Sequence, residues 1–134
     1  MKKAASLAVL FLMAVMFAGS AFAGSEGDAR WNTYYGSSAG SSLDGTGSYN
    51  AFFGYMAGDS TTGGNFNTFL GRSAGYYNTT GGNNTFLGRS AGSSNTTGNN
   101  NTFIGLAAGY ANTTGSGNVF LGYAAGYWET GSNR

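Results

Sequence analysis

A single pattern, Asn-x-aromatic-apolar-Gly-x-x-Ala-Gly, returns six times in this chain at nearly constant spacing. The copies read NTYYGSSAG from Asn32, NAFFGYMAG from Asn50, NTFLGRSAG from Asn67, NTFLGRSAG from Asn84, NTFIGLAAG from Asn101 and NVFLGYAAG from Asn118. Successive starts lie 18, 17, 17, 17 and 17 residues apart. A short constant period marks an array of units that stack on their neighbours, each too small to bury a core alone. Function in such an array belongs to a repeated surface and not to a pocket.

One unit, NTFLGRSAGYYNTTGGN from Asn67 to Asn83, holds Gly71, Gly75, Gly81 and Gly82. Inside a helix each of these would cost about 1 kcal/mol relative to alanine. The glycines instead punctuate short strands, with NTFL as one and the stretch around Ala74 to Asn78 as a second. Two strands and two turns make one coil, and coils paired in register repeat about every 4.8 Å. The expected fold is all-β: a parallel β-solenoid of six coils, each of about 17 residues, over residues 32–134.

Neighbouring residues in a strand point to opposite faces. The adjacent pairs Tyr34 and Tyr35, Phe52 and Phe53, Phe69 and Leu70, Phe86 and Leu87, Phe103 and Ile104, and Phe120 and Leu121 therefore make both faces of the strand row apolar. One face fills the coil. The other has nothing of its own to cover it, and soluble monomers rarely expose an apolar patch of more than several hundred Å². With roughly 1.5–3 kcal/mol available per large apolar side chain buried, self-association is the expected outcome.

Residues 1–23 read as a separate segment. Lys2 and Lys3 precede an apolar run from Ala4 to Phe17, followed by the small-residue box Ala21-Phe22-Ala23. This is the layout of a secretory signal peptide cut after Ala23, and the run is short of the roughly 20 residues a spanning helix needs. A secreted protein follows, extracellular or at a bacterial cell surface, with no transmembrane segment in the mature chain and residues 24–31 as a short N-terminal cap. Without the leader, four arginines (Arg30, Arg72, Arg89, Arg134) face five carboxylates (Glu26, Asp28, Asp44, Asp59, Glu129), leaving −1. That balance gives no electrostatic footprint for nucleic acid. The chain has no His and no Cys, and its acids are dispersed. No nucleophile with its base, metal cluster or cofactor loop can be assembled, so an enzyme is not expected.

The block NTFLGRSAG followed by NTTG resembles the head repeats of trimeric autotransporter adhesins, the YadA-like β-rolls, and the NTTG-rich repeats of phage tail-fibre-type proteins. The similarity spans nearly all of Asn32 to Gly131. It implies a left-handed β-roll in which three chains pack around one axis. By this resemblance Leu70, Leu87, Ile104 and Leu121 and the preceding aromatics fill the coil and trimer cores, and Gly71, Gly88, Gly105 and Gly122 permit the turn.

Further positions recur. Asn32, Asn50, Asn67, Asn84, Asn101 and Asn118 are expected to form a ladder of stacked amides bonded coil to coil. The rows Thr79, Thr96, Thr113 and Thr80, Thr97, Thr114 read as turn chemistry, with an ice-facing hydroxyl lattice as the alternative. Asn78, Asn95 and Asn112 head glycosylation sequons that a bacterial leader makes idle. Arg72 and Arg89 take the same place in successive coils, either as solvated turn residues or as a contact for an anionic glycan or matrix polymer. Tyr55, Tyr76, Tyr77, Tyr110, Tyr123, Tyr127 and Trp128 fall outside the strand pairs, where aromatic faces would stack on sugars or pack at protein contacts. Thin ends beyond the first and last copies suggest head-to-tail stacking. The reading is a secreted structural protein that forms or decorates a filament or adhesin and contributes to cell adhesion or biofilm. A curli-like functional amyloid is the second reading and an ice-binding solenoid the third.

Overall fold

The computed structural model describes the backbone of residues 21–23 and the whole of residues 30–134. The leader and cap readings fall largely on residues 1–20 and 24–29, outside the described residues. Short strands β2 (Thr33–Tyr35), β3 (Ala51–Phe53), β4 (Thr68–Leu70), β5 (Thr85–Leu87), β6 (Thr102–Ile104) and β7 (Val119–Leu121) lie side by side in sequence order. All five of these pairings are parallel, in the register that the repeat predicts: Phe52, Phe69, Phe86, Phe103 and Phe120 face one another along the row. Upstream, β1 (Ala21–Ala23) pairs antiparallel with β2. Five complete turns of chain join β2 to β7, and the chain continues round past β7 to Arg134. The architecture is an all-β parallel solenoid, with no helix among the described residues.

Each coil has one strand and not two. The segment from Ala74 to Asn78 runs as a chain of turns, because Gly71, Ser73 and Gly75 have φ of 137°, 57° and 59° and break the pleat. Coil-to-coil hydrogen bonding nevertheless continues through it. The amide of Gly75 donates to the Ala91 carbonyl at 2.9 Å, that of Tyr77 to Ser93 at 2.9 Å and that of Thr79 to Thr96 at 2.9 Å. The backbone is thus paired around much of the circumference, which offsets the shortness of the strands.

The interior is narrow enough for one aromatic ring per coil. Phe52, Phe69, Phe86 and Phe103 are fully buried and stack with Phe120 in a column, with ring centres 4.8, 4.8, 4.9 and 5.0 Å apart. Rung spacing dictates that ring spacing. Tyr34 takes the same register position in the first coil. Ala39, Ala57, Ala74, Ala91 and Ala108 close one side of the column. Gly75 is required there, since a Cβ would stand 2.6–2.7 Å from atoms of the Phe69 ring.

Beside the phenylalanines runs a buried polar seam. The Asn84 side chain donates from Nδ2 to the Gly98 carbonyl at 2.8 Å, and its Oδ1 accepts the Asn101 backbone amide at 2.9 Å. The same two bonds recur for Asn50, Asn67 and Asn101. A second row, Asn78, Asn95 and Asn112, turns inward and donates to the carbonyl three residues on. The carbonyls of Gly81, Gly98 and Gly115 each receive one amide from each row, filling both oxygen lone pairs inside the coil.

Candidate self-association surface

Strand geometry sets the outer surface. With Asn67 and Phe69 pointing in, Phe66, Thr68 and Leu70 point out, and every coil repeats this arrangement. Of each adjacent apolar pair, the first residue fills the coil and the second faces solvent. Tyr35, Phe53, Leu70, Leu87, Ile104 and Leu121 form an unbroken outward apolar row along the whole sheet. The resemblance implied that both members of each pair would lie in cores; within one chain only Phe52, Phe69, Phe86, Phe103 and Phe120 do. Among the described residues nothing covers this outer row.

On one flank of this row lie Tyr55, Arg72, Arg89, Leu106 and Tyr123, one per coil and all exposed. The Arg72 guanidinium rests 5.8 Å from the centre of the Tyr55 ring. Neither Arg72 nor Arg89 has a carboxylate partner among the described residues. Asp44 is taken up by Thr46, Asp59 accepts the Ser41 hydroxyl at 2.6 Å, and Glu129 lies 4.0 Å from Arg134. The two hydrogen bonds from Thr46, one from its hydroxyl and one from its backbone amide, hold the exposed Asp44 carboxyl below the usual carboxylate range.

On the other flank, Trp31, Tyr49 and Phe66 stack with centres 5.1 and 4.9 Å apart. Sequence reasoning passed over this column. Its signal was present in the repeat alignment, where the same position holds Asn83, Asn100, Gly117 and Asn133, residue types that suit a left-handed backbone.

Asn50, Asn67, Asn84, Asn101 and Asn118 are buried and link successive coils, but where a ladder of amides was expected they tie side chain to backbone; Asn50 Nδ2 to Asn32 Oδ1, at 3.1 Å, is the exception. The sequon residues Asn78, Asn95 and Asn112 are fully buried, out of reach of any modifying enzyme in the folded chain. The hydroxyls of Thr62, Thr79 and Thr96 donate to carbonyls of the next coil at 3.3, 3.0 and 3.0 Å, so this row serves the coil and presents no free lattice of donors. Tyr76 and Tyr77 meet edge to face, Tyr110 stacks on Tyr127, and Tyr127 meets Trp128 edge to face. The stacked rings of Tyr110 and Tyr127 cover one another's facing sides, whereas Tyr77, Tyr123 and Trp128 stand exposed.

Two cavities of about 330 and 210 Å³ lie at the first coil around Tyr34 and Leu43, away from the outer rows. Among the described residues no cluster of His, Cys, Asp and Glu could hold a metal ion, and no helix is long and apolar enough to cross a membrane. No family model, curated protein or solved structure matches this chain.

Proposed function

We propose that this chain is a secreted, non-enzymatic structural repeat protein that assembles with copies of itself to form or decorate an extracellular filament or adhesin. The observation that carries the reading is the outward row from Tyr35 to Leu121, six coils long and covered by none of the described residues. Burying it between copies gains roughly 1.5–3 kcal/mol per large side chain, and a row repeated at every rung favours a partner with the same rung spacing. A homotrimer of the β-roll type is the assembly the repeat resembles. Arg72 and Arg89, unmatched by any acid of the described chain, are where an anionic matrix polymer would be held.

A curli-like functional amyloid remains the second reading, favoured by one feature: the in-register parallel stack of Phe and Asn columns is cross-β order within one chain. Negative-stain microscopy of the purified protein separates the two. Soluble, uniform particles or filaments that dissolve in detergent support the β-roll reading. Detergent-resistant, thioflavin-binding fibres support the amyloid, and a monomer at every concentration removes both.

A further inference from the structure

Trp31, Tyr49 and Phe66 have φ of 46°, 59° and 57°. A bulky side chain with positive φ is a genuine outlier, because its Cβ crowds the following carbonyl. The later coils avoid this strain by placing Asn83, Asn100, Gly117 and Asn133 at the same corner, with φ of 56°, 58°, 71° and 58°. The fold needs the left-handed corner in every coil, but nothing inside the coil needs an aromatic there: the rings are 66, 47 and 56% exposed. Strain kept at an exposed position points to a contact made by that position.

We infer that the aromatic half of the sheet, coils one to three, is the contact between copies of this chain, and that copies associate parallel and level by level. This rests on the self-association reading and says where the contact falls. Trp31, Tyr49 and Phe66 share one face with Tyr35 and Phe53 and with neighbouring Tyr55, which are 55, 38 and 46% exposed. At roughly 150–250 Å² per aromatic side chain, half-exposed rings leave on the order of 600 Å². With the intervening Thr33, Ala51 and Thr68 this approaches the ~800 Å² per partner of a standard interface. The direction follows from the asymmetry of the face. An antiparallel partner would set the aromatic column against Asn83, Asn100 and Gly117, whereas a parallel partner keeps aromatic coils level with aromatic coils, Tyr49 near Tyr55 of the other copy, and Leu70 and Leu87 level with their own copies.

The chain has no cysteine, so Thr33→Cys, at the first level and in the middle of this face, reports direction in an otherwise unchanged protein. Treatment with a short bis-maleimide is expected to link Thr33→Cys to itself. Linkage only when Thr33→Cys is mixed with Val119→Cys means antiparallel packing and overturns the inference, as does no linkage in either case. Alongside, the Tyr49→Asn/Phe66→Asn double variant is expected to raise the melting temperature of the dilute chain while weakening association at least tenfold. Wild-type association retained unchanged in the double variant overturns the aromatic contact alone. A wild-type chain that never associates overturns the self-association reading and this inference with it.

Discussion

Replacing Asn84 by alanine probes the polar seam at its centre. Asn84 is fully buried, donates to the Gly98 carbonyl and accepts the Asn101 amide. Alanine leaves the Asn101 N–H with no partner in a dry interior, at about 1–3 kcal/mol. Gly98 O keeps its bond from Asn95, so that loss is a single hydrogen bond, about 1 kcal/mol, and the side-chain void adds more. Together these give at least about 2–4 kcal/mol, measured by urea unfolding followed by circular dichroism. Asn84→Asp sharpens the test. Its carboxylate still accepts the Asn101 amide but sets a second oxygen against the Gly98 carbonyl, so burial and repulsion raise its folded pKa above the unfolded value near 3.9. The variant's stability is then fully present below the unfolded pKa, where the protonated acid can donate to Gly98, and is lost as pH rises through the folded pKa. A loss below about 1 kcal/mol for Asn84→Ala, or an Asn84→Asp variant that gains nothing relative to wild type on acidification, refutes the reasoning.

Gly75→Ala is expected to destabilise by about 2–4 kcal/mol, from the left-handed backbone and the clash with the Phe69 ring; thermal unfolding reads it. Asp44, held below the usual carboxylate range by Thr46, contributes local order above the unfolded pKa and loses it as pH falls through the lower folded value. Thr46→Val should move the Asp44 titration upward in an NMR pH series, and no movement would remove the hydroxyl as its main cause. Arg72→Ser/Arg89→Ser should abolish salt-sensitive retention on an immobilised acidic polysaccharide while leaving the melting temperature within a few degrees, because four of the six coils hold Ser, Tyr or Leu at that place. Equal retention by wild type and variant would remove the arginines as a polymer contact.

The period made the coil, its length and the strand register legible, because one residue type must face itself at every rung. It also showed that each apolar pair must split between inside and outside. Which member goes in was settled by Asn67, two residues before Phe69 and on the same face, whose amide needs the inward Gly81 carbonyl. The expected second strand failed at Ser73, a left-handed residue that nothing in its type announces. Asn78 was read as the head of an idle sequon; its bond to Gly81 closes a turn three residues long, and its complete burial depends on how tightly the coil closes, a property of packing. The strained aromatic corner was hidden because Trp31, Tyr49 and Phe66 carry no left-handed signal themselves; only the Asn and Gly of later coils do.

Assembly, as proposed, is driven by the outward row. Its most direct test is the light-scattering mass of the purified protein against that of a Tyr35→Ser/Phe53→Ser/Leu70→Ser variant, over a hundredfold range of concentration. A multiple of the chain mass is expected for the wild type and a folded monomer for the variant, with the circular dichroism of the coil retained. A wild-type monomer throughout, or a variant that assembles as well as the wild type, would contradict it.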